Sequence, residues 1–244
     1  MPRLSEEQQL EQRIMRRMVR AMATYRLIDD GDKILVGLSG GKDSLCLLEM
    51  LARRSRIAHP AFTVEAVHVR MENIHYESDT GYLERFAQAH GVKLHIRTTR
   101  FDADTDTRKT PCFLCSWYRR KEMFNLAQEL GFNKIALGHH QDDLLHTALM
   151  STFFQGQFAT MPARIRMRKM PLSLIRPLCM VAEADIIQLA QWRGYEKQLK
   201  QCPYEHDSSR DYAAKLFKEI ESHNSEARPC LWRALEQAGK MVEE

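Results

Sequence analysis

The chain has 244 residues, of which 44% are hydrophobic and 28% charged, a composition typical of a globular protein rather than a disordered or fibrous one. Its 36 basic and 32 acidic residues give a net charge of +4, which permits a polyanionic partner without identifying one. No apolar run approaches the roughly 20 residues that cross a bilayer, and the acidic N-terminus is unlike a secretory signal. We therefore expect a cytoplasmic protein with no membrane span.

The first element is predicted to be an amphipathic helix at residues 6–25, in which apolar side chains recur every three or four residues beside a stripe of arginines. After a turn at residues 30–32, short apolar segments alternate with helical patterns over roughly 100 residues, which predicts right-handed crossovers and a parallel sheet. The predicted strands are 34–38, 62–69, 92–96 and 134–137, and the predicted helices are 43–50, 80–89, 116–130 and 142–154.

The pattern changes after Pro162, where arginines alternate with apolar residues and predict a strand with one basic face at 164–168. A helix is predicted at 182–192, and the remainder past Cys202 is charged and helical in pattern. The expected organisation is an N-terminal helix, an α/β core, and a segment of basic strand, third-cysteine loop and helices that completes the site, with bounds 1–28, 29–160 and 161–244.

A glycine-rich loop with the sequence GLSGGKDS, residues 37–44, stands between the first predicted strand and the next helix. Glycines let the backbone approach phosphate oxygens closely, and the amide groups at a helix start favour an anion. The spacing excludes a Walker A loop and a G-x-G-x-x-G dinucleotide loop. A carboxylate in such a loop would repel phosphate, so Asp43 is expected to bind an Mg²⁺ ion that lies between the carboxylate and the phosphate. The alternative interpretation is a tight turn in which Asp43 complements the helix start.

The string Ser-Gly-Gly-Lys-Asp-Ser in this position resembles the PP-loop of the N-type ATP pyrophosphatases, which split ATP between its α and β phosphates and leave AMP on a substrate oxygen. The resemblance implies a parallel-sheet, adenine nucleotide hydrolase-like fold that binds ATP and Mg²⁺. It implies nucleotide contacts at Ser39, Gly40, Gly41, Lys42 and Ser44, with Asp43 as the metal ligand.

A second acidic segment, GHHQDD at residues 138–143, follows the strand predicted at 134–137, at the sheet edge where open α/β folds bind ligands. Asp142 fits a helix cap as well as a ligand, and Asp143 is the better candidate for Mg²⁺. Zinc binding by His139 and His140 lacks a third ligand nearby. PP-loop enzymes that modify tRNA carry a similar segment, and that likeness adds Gly138 to the expected site.

The six cysteines predict metal or sulfur chemistry rather than a disulfide framework, because cytoplasmic thiols stay reduced. Cys46, Cys179 and Cys230 stand singly among apolar neighbours and are interpreted as buried small side chains. The other three cysteines have polar surroundings and are the candidates for chemistry.

Cys112 and Cys115 are spaced so that both thiols can face one metal centre, and Cys202 occupies a comparable polar loop. Three thiols leave one position of a metal centre open. The residues by themselves also fit structural zinc, with His206 as the fourth ligand four residues after Cys202.

With these cysteines, the resemblance narrows to the TtcA family, the tRNA 2-thiocytidine synthetases and their close relatives. The matching stretches are 27–44, 112–120, 134–143, 153–162 and 175–178. The resemblance implies that Cys112, Cys115 and Cys202 hold a [4Fe-4S] cluster with one iron open to hydrosulfide. One departure concerns the substrate: many relatives have a second cysteine three residues after the third ligand, where this chain has Glu205.

Family membership would imply ATP-dependent tRNA thiolation, with Asp43 and the three cysteines as catalytic residues. The C2 oxygen of an anticodon-loop cytidine would be adenylated and replaced by sulfur from the cluster, with release of AMP and pyrophosphate. A sulfur donor such as a cysteine desulfurase would be a partner. The alternatives are an adenylating synthetase for another nucleobase or small molecule, and a zinc-stapled nucleotide- or RNA-binding module.

Three basic patches favour RNA as a partner: the N-terminal arginine stripe, residues 119–121, and residues 164–169. Each patch alone also fits a solvated face. Phe153, Phe154 and Phe158 fit either base stacking or the core. The N-terminal helix suits either RNA binding or formation of a homodimer. The expected RNA contacts are Arg119, Arg120, Arg164, Arg166 and Arg168.

Overall fold

The computed structural model describes residues 4–72, 79–100, 110–196 and 209–244, so Cys202, Glu205 and His206 lie outside the described residues. The described elements follow in the order α1 (Glu6–Thr24), β1 (Asp32–Gly37), α2 (Lys42–Arg54), β2 (Phe62–Met71), α3 (Thr80–Ala89), β3 (Lys93–Thr99), α4 (Pro111–Glu129), β4 (Lys134–Ala136), α5 (Gln141–Gln155), β5 (Arg164–Arg166), β6 (Ser173–Ile175), α6 (Glu183–Trp192), α7 (Ser209–His223), α8 (Ala227–Gln237) and β7 (Val242–Glu243).

The chain folds into two compact units that are each discontinuous in sequence. The sheet unit contains Ile28–Gly138 and Leu189–Glu205, and the helical unit contains Met1–Leu27, His139–Gln188 and His206–Glu244. The segments 1–28, 29–160 and 161–244 expected from the sequence stay a prediction. Within the described part of the chain, no helix has both the length and the apolar character that a bilayer crossing requires.

The sheet unit is built on four parallel strands in the order β3-β2-β1-β4. The alternation of strands and helices therefore gives the parallel α/β architecture that the sequence predicts. On β1, the consecutive residues Ile34, Leu35 and Val36 are all fully buried, as expected for an inner strand covered on both faces. Helix α2 buries nearly all of its length, including Leu45, Leu48 and further apolar side chains.

The ends of β1 and β4 bring two loops into backbone contact. These strands pair in parallel, with Val36 opposite Ala136, so both chains leave the sheet at the same edge. A Cβ atom placed on Gly138 would lie 2.9 Å from the carbonyl carbon of Asp43 and 3.0 Å from both its oxygen and the nitrogen of Ser44. These neighbours are backbone atoms of α2 and cannot rotate away. Only glycine fits at position 138 without displacing the start of α2.

Helix α4 begins five residues before the helix predicted at 116–130. Thr110 caps it by accepting the amide N–H of Phe113 at 3.3 Å, and Pro111 occupies the first helical position. Threonine as a cap and proline in the first turn are favourable helix-start residues, and the prediction overlooked this signal. Consequently Cys112 and Cys115 lie in the first two turns of α4 rather than in a preceding loop.

Helix α1 is an integral part of the helical unit. It begins at a capping box formed by Ser5 and Gln8 and buries the apolar side predicted from the sequence. Ile14 is fully buried at its centre. Two polar contacts tie α1 and the residue after it to the rest of the unit. Arg13 pairs with Asp185 at 2.8 Å, and the hydroxyl of Tyr25 donates to Glu236 at 2.6 Å.

The rest of the helical unit packs α5 against α7 and α8 and adds three short strands. Strand β5 pairs antiparallel with β6 and parallel with β7. The basic strand predicted at 164–168 ends at Arg166, because the chain turns after it and the amide of Met167 donates to the carbonyl of Leu172 at 2.9 Å. Strands β6 and β7 are too short to produce a recognisable alternation, and the sequence pattern does not predict them.

Replacing Ile14 by alanine should lower the free energy of unfolding by about 2–5 kcal/mol, because the substitution leaves a cavity under α1. Replacing the exposed Arg16 by alanine on the same helix should change it by less than about 0.5 kcal/mol. Denaturant unfolding followed by circular dichroism measures both. Equal effects of the two substitutions would contradict the docking of α1 onto a core.

The Gly138→Ala substitution should destabilise the protein by about 1–3 kcal/mol, because the added methyl group overlaps the backbone of Asp43 and Ser44. Gly81→Ala is the matched control. A Cβ at position 81 meets only the side-chain ends of Arg85 and Asp79, and alanine is the better helix former. The control should be neutral or stabilising in the same unfolding measurement. A neutral Gly138→Ala would show that α2 moves freely at this contact.

Candidate active site

The glycine-rich loop joins β1 to α2 and leaves the helix start open to an anion. Gly41 is the N-cap residue of α2, in an extended conformation, and it provides no side chain to cap the helix. The first amide groups of a helix lack partners inside the helix, and together with the helix dipole they attract negative charge. Gly40 has φ +84°, a conformation that glycine adopts without strain. This local structure is suited to phosphate oxygens.

The two serines of the loop hold its shape through each other. The amide of Ser39 donates to the hydroxyl of Ser44 at 3.2 Å, and the two hydroxyl oxygens are 3.1 Å apart. The Ser44 hydroxyl also donates to the carbonyl of Gly41 at 2.9 Å. These contacts close the loop over the first turn of α2 and place both hydroxyl groups beside its amides.

Lys42 and Asp43 stand side by side in the first turn of α2. The Lys42 ammonium lies 3.2 Å from the Asp43 carboxylate, and each side chain is about a third exposed. Asp43 is therefore within reach of solvent at the edge of the loop. Mg²⁺ commonly uses one or two carboxylates and completes its shell with water and phosphate oxygens, and this donor set fits that arrangement. The loop residues predicted from the sequence are thus brought together in one place.

A cavity of about 150 Å³ lies beside this loop within the sheet unit. The end of β1, the end of β2 and the middle of α4 form its walls. The lining residues are Gly37, Leu38, Ser39, Val67, His68, Val69, Arg119, Arg120, Met123 and Leu137. The walls therefore combine apolar side chains with a loop hydroxyl group and two guanidinium groups.

His68 is a member of this cavity that the sequence analysis missed. Its Nδ1 donates to the carbonyl of Leu38, 2.7 Å away, at the start of the glycine-rich loop. Burial lowers the pKa of His68 below its usual value, despite the opposing effect of this hydrogen bond. The imidazole is therefore neutral at pH 7. His68 lies within the strand predicted at 62–69. The apolar residues on either side of it in the sequence gave no signal that a polar side chain faces the loop.

The cysteine pair lies close to the same cavity along α4. Cys115 is a half-buried cysteine packed against the buried pair Met71 and Leu114. Arg119, four residues further on, lines the cavity, and that separation corresponds to a rise of about 6 Å along a helix. Cys112 stands three residues before Cys115 and hence on the same side of the helix. The sheet unit thus brings the Cys115 side chain, and the backbone position of Cys112, near the phosphate loop.

The third cysteine and the histidine considered for zinc, Cys202 and His206, lie outside the described residues, and their roles stay predictions. Within the described ranges, no group of three or more His, Cys, Asp or Glu side chains is arranged to hold a metal.

The three cysteines that the sequence predicts to be buried differ in their exposure. Cys46 and Cys179 are fully buried, and burial raises the pKa of both thiols, as expected of inert core residues. The expectation for Cys230 is wrong, because it is exposed.

The GHHQDD segment runs from the end of β4 into α5. Asp143 accepts the backbone amide of His140 at 3.1 Å and so caps α5. The His139 ring accepts the Nε–H of Arg176 at 3.2 Å. His140 is buried among carboxylates, with its Nε2 3.4 Å from Asp143. Both histidines are engaged within the protein, and the magnesium role of Asp143 stays a prediction.

Asp142 has a structural role that favours the capping interpretation, although the helix it caps is α6 rather than α5. It accepts the amide of Glu183 at the start of α6 at 2.7 Å, and it pairs with Arg228 at the same distance. Burial opposes ionisation of Asp142, but these two interactions outweigh it and lower its pKa. The carboxylate is therefore charged and committed to holding α5, α6 and α8 together.

The residues expected to contact RNA differ in their surroundings. Arg119 and Arg120 line the cavity, and Arg120 also donates to the carbonyl of Ser116 at 3.2 Å. In the helical unit, Arg164 pairs with Glu244 and donates to the carbonyl of Arg26. Arg166 and Arg168 are exposed, the former on β5 and the latter in the turn after it. Their RNA contacts stay predictions.

The aromatic side chains at the end of α5 are not core residues. Phe153 and Phe154 are 67% and 57% exposed, and Phe158 is 38% exposed. Tyr212 on α7, which the sequence analysis did not single out, is 60% exposed and makes an edge contact with Phe154 at 6.1 Å between ring centroids. The helical unit therefore presents an exposed aromatic cluster, a surface suited to stacking on bases.

Known proteins similar to this chain point to one family. The PP-loop domain family matches residues 7–211. A tRNA-cytidine(32) 2-sulfurtransferase 1 of Francisella tularensis subsp. tularensis is 32% identical over 235 residues, which cover 93% of this chain and 86% of the relative. A tRNA-cytidine(32) 2-sulfurtransferase of Chromohalobacter salexigens is 38% identical over 192 residues, covering 76% of this chain and 66% of that protein.

One solved structure supports the fold. It is the U34-tRNA thiolase NcsA from Methanococcus maripaludis with its [4Fe-4S] cluster, which superposes with a TM-score of 0.76 at 21% identity and covers 94% of this chain and 78% of that one. At that identity the likeness shows the shared fold. Because the family match spans the phosphate loop and most of the chain, and the Francisella relative, at 32% identity, is covered over 86% of its length, this chain belongs to the PP-loop family and, within it, to the tRNA-cytidine(32) 2-sulfurtransferases.

Proposed function

We propose that this chain is an ATP-dependent tRNA sulfurtransferase that replaces the C2 oxygen of an anticodon-loop cytidine with sulfur. The relatives are named for cytidine 32 of tRNA. The observation that carries the proposal is the cavity beside the glycine-rich loop, because α4 lines it within about one turn of the cysteine pair. ATP chemistry and sulfur chemistry then share one side of the sheet unit.

The first step is adenylation of the base. The cytidine O2 attacks the α-phosphorus of ATP, a new P–O bond forms, and pyrophosphate leaves with the electrons of the broken P–O bond. The amides at the start of α2, with the hydroxyls of Ser39 and Ser44 and the Lys42 ammonium, bind the departing pyrophosphate. Gly40 and Gly41 allow the backbone to approach it closely. Asp43 would hold Mg²⁺, with Asp143 as the second candidate ligand, and the ion would supply positive charge to the phosphates.

In the second step, AMP leaves from C2 as the carbon–sulfur bond forms. A [4Fe-4S] cluster held by Cys112, Cys115 and Cys202 would supply the sulfide for this exchange. The residues present fit such a group in one respect: Cys115 is a half-buried thiol near the start of a helix that also carries Cys112 three residues earlier. The apolar walls of the cavity, including Val67, Val69 and Met123, limit the water that competes for the activated base.

The tRNA would be held by basic side chains, with Arg119 and Arg120 closest to the reacting base. Arg166 and Arg168 lie exposed on the helical unit, where the exposed aromatic cluster of Phe153, Phe154, Phe158 and Tyr212 would stack bases. A cysteine desulfurase would renew the sulfur, the enzyme would work in the cytoplasm, and the N-terminal helix would serve either RNA binding or a homodimer.

The Asp43→Asn variant should lose at least about 100-fold in the rate of ATP-dependent pyrophosphate release. A neutral amide cannot replace the carboxylate that holds Mg²⁺, and the charge on the departing pyrophosphate is then not neutralised. The variant should still bind tRNA. Glu84→Gln, an exposed carboxylate-to-amide change on α3, is the matched control and should behave as the wild type. Pyrophosphate release is measured with a coupled phosphatase assay on anaerobic protein and unmodified tRNA. Normal release by Asp43→Asn would remove the proposed magnesium role.

The Cys115→Ser variant, purified without oxygen, should contain little iron and acid-labile sulfide and should form no thiocytidine in tRNA. The control variant Cys230→Ser removes an exposed cysteine of α8 and should keep both the iron and sulfide content and the formation of thiocytidine. Elemental analysis, visible absorption and mass spectrometry of tRNA nucleosides provide the readouts. Stoichiometric zinc in a colourless wild-type protein would instead support the zinc-stapled module, and thiolation of a different nucleoside would change the substrate only.

A further inference from the structure

The helical unit contains a second cavity, formed by α1, the start of α5, the segment before α6, and α8. Its volume is about 580 Å³. Its lining residues are Arg17, Arg20, Gln141, Met180, Ala182, Arg228, Pro229, Trp232, Arg233 and Glu236. Four guanidinium groups therefore line one concave surface. Arg17 and Arg20 belong to the N-terminal arginine stripe noted in the sequence, whereas the sequence did not single out Arg228 and Arg233.

Only part of this positive charge is compensated. Arg228 pairs with Asp142 at 2.7 Å and with Glu221 at 2.8 Å, so its charge is neutralised inside the unit. Across the described residues, Arg17, Arg20 and Arg233 have no ion pair with a carboxylate. All three are exposed. The cavity thus carries an excess of positive charge at its mouth.

The other polar groups of the cavity are already satisfied within the protein. Glu236 accepts hydrogen bonds from the Tyr25 hydroxyl at 2.6 Å and from the Trp232 indole at 3.2 Å. Trp232 is only 9% exposed, so its ring is not available to stack on a base. The cavity therefore offers cations to a ligand, but no free aromatic face that would recognise a nucleobase.

The three exposed arginines project from a rigid frame. Arg17 and Arg20 are three residues apart and share one side of α1, next to the side that Ile14 and Met18 fix in the core. Arg233 comes from α8 across the cavity. Separate guanidinium groups around a wide opening suit several phosphodiester groups in a row better than one terminal phosphate, which is usually enclosed by converging donors.

We infer that the arginine cavity, defined by Arg17, Arg20 and Arg233, binds the sugar–phosphate backbone of the tRNA away from the nucleotide that reacts. This inference rests on the proposed function, since it assigns a further contact to the same substrate. Binding here is independent of base sequence and positions the RNA on the helical unit. It also gives α1 a role in substrate binding.

The test compares tRNA binding by the wild type and by the triple variant Arg17→Ala/Arg20→Ala/Arg233→Ala, using fluorescence anisotropy with unmodified tRNA across a range of salt concentrations. Loss of three phosphate contacts should weaken binding about 10- to 100-fold at moderate salt and reduce the slope of log K against log salt by about 2 to 3. The matching triple lysine variant keeps the charges and should retain most of the slope.

A control variant removes three exposed cations elsewhere, with the changes Lys33→Ala, Lys93→Ala and Lys218→Ala. It should leave the salt slope nearly unchanged, and an equal loss there would overturn the inference by showing a general charge effect. An unchanged slope in the arginine triple variant would also overturn it. A lowered ATP affinity of that variant would instead identify a nucleotide site. Absence of tRNA binding by the wild type, with pyrophosphate release intact, would defeat the proposed function itself.

Discussion

The arrangement of the sheet unit depends on one backbone contact, between Gly138 after β4 and the start of α2. Because β1 and β4 are parallel neighbours, the loops that follow them leave the same edge of the sheet and must share its space. The absence of a side chain at position 138 lets the two backbones meet at van der Waals distance. The glycine-rich loop is thereby held between its own internal hydrogen bonds and a neighbouring strand end. Its amides are oriented before any anion arrives, which is the condition for effective electrostatic stabilisation.

Helix α4 links the phosphate loop to the cysteine pair through the periodicity of a helix. A cap at Thr110 and a proline at position 111 start the helix early enough to include Cys112 and Cys115. The same helix contributes Arg119 to the cavity about one turn after Cys115, and Met123 about two turns after it. A helix fixes the spacing between the backbone positions of the two cysteines and the cavity more firmly than a loop does, which suits a reaction whose two steps must act on the same carbon atom.

The acidic residues illustrate how identical side chains acquire different roles. Asp43 lies at an open helix start beside a lysine and remains accessible to solvent. Asp142 is enclosed and joins three helices through Arg228 and the amide of Glu183. In the same unit, Arg228 is neutralised by its carboxylate partners, whereas Arg17, Arg20 and Arg233 keep their charge for a ligand. Burial and pairing, rather than residue type, separate the structural charges from those available for binding.

The sequence by itself determined the parallel α/β class, most helices and strands of the core, the phosphate loop and the family. These features depend on local patterns: hydrophobic periodicity, a strand-loop-helix string of eight residues, and the spacing of two cysteines. Only the tertiary structure decided that His68 faces the glycine-rich loop, that Asp142 caps α6, that Cys230 is exposed, and that Arg17 and Arg20 meet Arg233 from α8. Each of these depends on residues far apart in the chain, and no local pattern encodes which distant side chain will arrive beside a given position.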